Sequence, residues 1–400
     1  MSGTQEEVAV PRLSVGERDR RYRLVRERMD REGLDVLILP ANVSRWEQMM
    51  ADSRYITTIG GFGTETLTIF PRDGEVTAYV FNRAVFWKAA QGWVADVRDG
   101  RNHWADNAIE RLGECATRPR RIGISGLAGL IRAPDGIVPW TTVERIKKAF
   151  PNAEFVDATR LIQETRAVKS AEEVALMRRS ASIIEAMVAR MIEVARPGVR
   201  ERDIYGAMVH TLLTNDGEQP SMLIFGTGLN VGHGQFVPTS RVLQRGDLLV
   251  NEIEARYAGY SAQAVAPASV GPASDAYLDL FRVAHEAFEA VRAVMTPGTP
   301  LGTLMDVYTG TIERAGRGRY RWAHPIMHAR GLGDESPALL GDDDLERFRR
   351  VELQEGMTFI VKPRARGADG LSAQIGDTVV VTPGGGERLG KRALSLAVIG

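Results

Sequence analysis

One cysteine stands among 400 residues, Cys115, in the run Arg111-Leu-Gly-Glu-Cys-Ala. A single thiol excludes an internal disulfide framework and fits a reducing compartment, so a cytoplasmic location is expected, with Cys115 structural. An excess of either charge is also missing. Lys and Arg together number 51, as do Asp and Glu, and no strongly basic stripe is present, so no nucleic acid partner is expected. No apolar run approaches the roughly 20 residues of a membrane-spanning helix, so no membrane partner is expected. The first fourteen residues are polar and lack the apolar core of a signal peptide. Histidine is scarce, with six in all. His210 and His285 fall mid-helix and His103 in a polar loop, and all three read as structural. His233, His324 and His328 lie in glycine-rich stretches, where catalytic and ligating histidines concentrate.

The residues present, 44% hydrophobic and 26% charged, allow a large core and more than one domain. Residues 15–32 read as a charged amphipathic helix that turns Tyr22, Val25 and Met29 to the core and stops at Gly33. Buried strands are expected at Val36–Leu39, Thr66–Phe70, Val76–Phe81 and from Arg121, with helices over Trp104–Glu114 and Thr141–Phe150. This interleaving makes an α/β domain. We divide the chain into a tail (1–14), an N-terminal α/β domain (15–163) and a C-terminal domain (164–400). The second domain opens on a capping box, Ser170-Ala-Glu-Glu173, at the head of a long helix. It then carries a repeat. Pro197-Gly198 precedes a helix over Glu201–Asn215, and Pro297-Gly298, after a helix over Asp275–Met295, precedes one over Leu301–Ala315. Each unit is followed by a His-bearing stretch and strands, so two copies of one α/β unit are expected to pack around a cleft.

The C-terminal domain is organised around the stretch 244–271. Gly246-Asp247 reads as a turn, Leu248 to Val250 as a buried strand, Gly259-Tyr260 as a second turn and Ser261 to Val270 as the returning strand. Glu252 and Glu254 follow the apolar lead-in and, two apart on a strand, share a face. Two buried carboxylates need a cation, a proton or water. Other candidate groups lie in Asn230-Val-Gly-His233, in His324-Pro-Ile-Met-His328 with Glu335 beyond it, and in Gly356-Met-Thr-Phe-Ile-Val-Lys362 followed by Gly376-Asp377. The four-residue spacing of His324 and His328 is a weak metal signal, because Pro325 and the later glycines favour loop or strand over helix.

The order of these places resembles the creatinase/aminopeptidase P/methionine aminopeptidase superfamily. The run Arg23 to Leu39, Tyr55-Ile-Thr-Thr-Ile-Gly-Gly and Arg166-Ala-Val-Lys-Ser-Ala-Glu-Glu carry the likeness at the N-terminal side. Gly246-Asp247, Gly259-Tyr260, Gly356-Met357 and Asp377-Thr378 carry it beyond. The resemblance implies an N-terminal creatinase/prolidase-type domain, a duplicated "pita-bread" α/β domain and a homodimer in which Trp46, Trp87, Trp93 and Trp104 are candidate surface residues. It also implies five metal-ligand positions, which fall on Glu252, Gln263, His328, Lys362 and Gly376. A protonated lysine does not ligate a divalent ion and glycine offers no side chain. The expectation is therefore no metal and no cofactor, with Lys362 neutralising Glu252 or Glu254.

On that basis the chain reads as a metal-independent hydrolase of an amidine or amide C–N bond in a small polar non-peptide compound, similar to creatinase and ectoine hydrolase. Glu252 or Glu254 is the nucleophile or base, His233 or His328 shuttles the proton, and Lys362 holds the carboxylate. Asn230, Tyr260, Gln263, His324 and Glu335 are candidate substrate contacts. Three alternatives stand beside it. The first is an Xaa-Pro-type metallopeptidase, or a lyase like the superfamily's dimethylsulfoniopropionate lyase, with one metal held by Glu252, Glu254, His324, His328 and Glu335. The second is a peptide-binding pita-bread module. The third is a degenerate enzyme.

Overall fold

The computed structural model describes residues 10–40, 50–61, 63–81, 83–219, 222–229, 231, 234, 237–324 and 326–400. The chain divides into two compact units, Met1–Arg166 and Ala167–Gly400.

In the first unit, α1 (Val15–Glu32) starts where the Ser14 hydroxyl accepts the Glu17 amide and ends at Gly33 in the left-handed region. There follow β1 (Val36–Leu39), α2 (Ala51–Thr57), β2 (Thr66–Pro71), β3 (Thr77–Val80), α3 (Ala84–Ala90), β4 (Asp96–Asp99), α4 (Trp104–Gly113), β5 (Arg121–Ile124), α5 (Trp140–Ala149), β6 (Glu154–Asp157) and α6 (Thr159–Ala167). The strands form one sheet in the order β4-β3-β2-β1-β5-β6. One apolar face of it packs under α4 and α5. The helix α1 buries Glu17, Arg21, Val25 and Met29, a four-residue ladder, so Tyr22 lies at its margin and two charged residues face inward.

The inward pair is satisfied. Arg21 donates to Glu17 at 2.7 Å and to the Tyr55 carbonyl at 2.8 Å, and its guanidinium lies over the rings of Tyr55 and Trp93. Burial alone would push the Glu17 carboxyl up. The hydrogen bonds and charges of Arg20 and Arg21 outweigh it and hold the group below its ordinary value. A carboxyl depressed in the fold adds stability above its unfolded pKa of about 4.3 and loses it as pH falls. Glu17→Gln is therefore expected to cost about 1–3 kcal/mol at pH 7, where it strands a buried guanidinium. The gap from the native protein should narrow on acidification. Urea unfolding followed by tryptophan fluorescence checks this, and a gap unchanged between neutral and acid pH would contradict it. Trp87 and Trp93 are buried, so these two are packing residues and not a subunit surface, whereas Trp104 is half-buried against the core under α4. Trp46 lies outside the described residues.

The second unit runs α7 (Ala171–Val194), α8 (Glu201–Thr214), β7 (Leu223–Gly228), β8 (Leu248–Tyr257), β9 (Tyr260–Val265), β10 (Ala268–Val270), α9 (Asp275–Ala293), α10 (Leu301–Ala315), β11 (Arg321–Trp322), β12 (Met327–Arg330), β13 (Asp334–Leu339), α11 (Asp342–Phe348), β14 (Thr358–Val361), β15 (Arg364–Arg366), β16 (Ser372–Gln374), β17 (Gly376–Thr382), β18 (Gly385–Arg388) and β19 (Ala397–Ile399). The main sheet has the order β13-β12-β14-β17-β9-β8-β10-β19, with β7 on β8 and β18 on β17. The expected strand from Ser261 to Val270 is broken into β9 and β10. The Asn251 side chain donates to the Ala266 carbonyl at 2.7 Å and accepts the Ala266 amide at 2.9 Å, so both backbone groups of Ala266 are paired at the break.

The repeat is explicit in the hydrogen bonds. Gly198 donates to Leu243 and Gly298 to Leu353. Glu201 donates to Arg241, and Leu301 to Val351. Gly246 and Gly356, both with positive φ, open the two central strands β8 and β14. Only glycine takes that conformation without strain.

Candidate active site

Counting from those two glycines, Glu252 and Lys362 are both the sixth residue onward, so they are equivalent positions in the two repeats. Between β8 and β14 lie β9 and β17. Three strand spacings would separate them by roughly 14 Å in a flat sheet. The Lys362 ammonium nonetheless lies 2.7 Å from Glu252 Oε2, so the two long side chains reach over the intervening strands to meet. The Gln263 side-chain amide donates to the same oxygen at 2.8 Å. Gln263 is held by a two-way clamp, its amide donating to Thr378 Oγ1 at 2.8 Å and its carbonyl accepting from that hydroxyl at 2.9 Å.

Glu254 stands directly across from Gln263 on β9 and pairs with Arg330, with Arg256 at 3.7 Å. Arg330 also pairs with Asp334, whose Oδ1 lies 3.3 Å from His328 Nδ1. That nitrogen is equally close to the Ala329 carbonyl. Two acceptors at one nitrogen assign the proton to Nδ1. Glu335 pairs with Lys169, which also donates to the Ala167 carbonyl at 3.2 Å. Four buried acids, Glu252, Glu254, Asp334 and Glu335, thus meet four buried cations, Lys362, Arg330, Arg256 and Lys169. Beside them Arg364 donates to Gln374 at 2.6 Å, and Gln374 donates back to the Lys362 carbonyl at 3.1 Å. Burial pushes the Arg364 guanidinium below its ordinary value, against the pull of Glu252.

Of the residues singled out in the sequence, Glu252, Glu254, Gln263, His328, Glu335 and Lys362 fall on this strand framework. His233 and Asn230 lie outside the described residues. Tyr260 does not face the cluster. Its hydroxyl donates to Glu173 of the α7 capping box at 2.8 Å, which ties β9 to the helix. His324 is also elsewhere, partly exposed, 3.4 Å from Asp342 and edge-on to Trp322. The rearranged set Glu252, Glu254, His324, His328 and Glu335 therefore does not converge, and among the described residues no group of three or more His, Cys, Asp or Glu is arranged to hold a metal. Sequence reasoning missed Lys169, Arg256, Arg330 and Asp334. Their signal was a charged residue inside or beside an apolar strand.

The five ligand positions implied by the resemblance do not fit a metal either. An ammonium and an amide donor occupy the Glu252 oxygen from which a metal would be held. Gly376 supplies no ligand, and a Cβ there would come within 2.8 Å of both the Val361 carbonyl and Lys362 Cβ.

Comparison with known proteins gives the family. The description "Metallopeptidase family M24" matches residues 175–383, and "Creatinase/Prolidase N-terminal domain" matches residues 21–168. An Xaa-Pro dipeptidase of Pyrococcus furiosus is 25% identical over 262 residues, covering 64% of this chain and 72% of that protein. An Xaa-Pro dipeptidase of Pyrococcus horikoshii is 24% identical over 256 residues, covering 64% and 71%. Among solved structures, an Xaa-Pro dipeptidase from Bacillus anthracis superposes with a TM-score of 0.78 at 20% identity, covering 95% of this chain and 99% of that one. An X-Pro aminopeptidase from Thermotoga maritima gives 0.76 at 21%, with the same coverage. The architecture is an N-terminal creatinase-type domain followed by the pita-bread domain. These relatives overturn the reading as a metal-independent hydrolase of a small non-peptide compound, because they are named as peptidases. The physical reason for the error is that Lys362 and Gly376 report the charge and space at the centre and carry no information about the substrate.

Proposed function

Because the chain belongs to metallopeptidase family M24, we propose that its substrate class is short peptides of the Xaa-Pro type and its reaction hydrolysis of the peptide C–N bond. The observation that carries this reading is the combination of two matched units, in the order found in relatives named Xaa-Pro dipeptidase, with acid and imidazole groups buried on one sheet. Glu252 and His328 are the proposed acting groups and Lys362 holds Glu252 in place, as in the ion pair above. Glu254 is committed to Arg330 and reads as framework. The family's metal has no fitting ligand set in this chain, so no step is assigned to one. A half-buried single thiol supports a reducing, cytoplasmic location, and the resemblance supports a homodimer.

A second reading, peptide binding without turnover, is favoured by one observation. The carboxylate at the centre is already occupied by Lys362. One experiment separates the two. The purified chain is incubated with a panel of Xaa-Pro dipeptides and released proline is measured, and peptides that are not cleaved are titrated calorimetrically. Release of proline supports hydrolysis. Saturable heat without release moves the assignment to binding. Neither, for every member of the panel, overturns the Xaa-Pro reading.

A further inference from the structure

We infer that the centre of the second unit carries its cation in the chain itself: the Lys362 ammonium stands where the family name calls for a metal, and Gly376 and Gln263 are fitted to it. Four observations converge. Glu252 and Lys362 are equivalent residues of the two repeats, and they meet as opposite charges at 2.7 Å, both nearly inaccessible to solvent. Gly376 leaves the space through which the lysine stem passes. A Cβ at 376 would sit 2.8 Å from Lys362 Cβ and 3.1 Å from its Cα, tighter than packed side chains allow. Gln263 turns its donor side to the same carboxylate oxygen, where a carboxylate at that position would repel it. Finally, the neighbouring acids have cations of their own, Glu254 and Asp334 in Arg330, and Glu335 in Lys169.

A site that had merely lost its ligands would leave buried carboxylates without counter-charge, which is costly. Here the replacements are complementary. The lysine neutralises, the glycine makes room and the glutamine donates. A divalent ion brought to Glu252 would meet an ammonium already at hydrogen-bond distance. The inference does not rest on the peptide substrate proposed above, because it is read without any peptide.

The test uses the full chain, purified with neither added metal nor chelator. Metal content is measured by plasma emission, and melting is followed with EDTA and with Mn²⁺, Co²⁺ or Zn²⁺. The expected result is no stoichiometric metal and one melting temperature under all four conditions. One or two retained equivalents, or a melting temperature that climbs with ion concentration as ligand linkage requires, would overturn the inference. A charge cycle tests the lysine itself. Lys362→Gln is expected to melt well below the native protein or to fail to accumulate folded. The double variant Lys362→Gln/Glu252→Gln, in which the stranded charge is also removed, is expected to melt above Lys362→Gln. Losses that simply add would show that Lys362 and Glu252 act independently, and would also overturn it.

Discussion

Arg330→Met is expected to unfold the second unit more readily than any conservative change on its surface, with a loss of about 3–5 kcal/mol, the range for stranding a buried charge. The reason lies in its position. Arg330 is about 1% exposed and stands between Glu254 and Asp334. Methionine retains much of the volume but none of the charge, so the carboxylates of Glu254 on β8 and Asp334 on β13 both lose the guanidinium between them, and Glu254 keeps Arg256 at 3.7 Å. His328 is drawn into the loss, because Asp334 is one of the two acceptors at its Nδ1. The measurement is urea unfolding of the whole chain followed by circular dichroism, with hydrogen exchange to assign the weakened segment. Exchange should accelerate in β8, β12 and β13. Adding Glu254→Gln to Arg330→Met should recover part of the loss, since one of the stranded charges goes with it. A single variant within about 1 kcal/mol of the native protein, in the range of exposed ion pairs, would mean that the cluster is wet and that its ion pairs contribute like surface ones.

Features fixed by local chemistry were legible in the sequence. The bounds of α1, β1 and α10 follow from periodicity and caps, and Ser170 with Glu173 forms the expected capping box. The two Pro-Gly elements disclosed the repeat because a turn chemistry repeats wherever its geometry does. Glu252 and Glu254 were recognisable because acids after a buried apolar run demand compensation. The identity of the compensating groups was not legible, because partner choice is long-range. Lys362 lies 110 residues from Glu252, and Lys169 lies 166 from Glu335. Strand alternation tells which face a side chain takes but not which strand arrives opposite it. The same limit explains Tyr260, which looked like a site residue beside a turn and is instead an anchor for α7. It also explains His324, whose spacing to His328 means nothing across a bend and a strand. The substrate was the least legible property, because the informative substitutions, Lys362 and Gly376, report the charge and space at the centre and not what would meet it.

Lys169→Met carries the second large expected effect, again about 3–5 kcal/mol, and it separates a structural ion pair from a functional one. Lys169 precedes the Ser170 cap of α7, and its backbone amide donates to the Gly356 carbonyl at 3.1 Å. Val168 bridges to Met357 beside it. Its ammonium then reaches Glu335, whose other oxygen accepts the Leu332 amide at 3.2 Å. The pair is sealed by Gly331, where a Cβ would lie 2.6 Å from Glu335 Oε1 and 2.8 Å from Lys169 Cε. Methionine in place of Lys169 leaves the Glu335 carboxylate buried against that wall. Replacing both partners by apolar residues removes the stranded charge and keeps the volume, so Lys169→Met/Glu335→Leu is expected to regain most of the loss. Equilibrium unfolding of the two single variants and the double decides it. If the double variant is no more stable than Lys169→Met, the pair's contribution is geometric, through the turn that Glu335 holds at Leu332, and not electrostatic. If it recovers, the ion pair is a framework element that apolar packing can replace. The Lys169–Glu335 pair would then differ in kind from the pair of Lys362 and Glu252, in which Glu252 is proposed as an acting group.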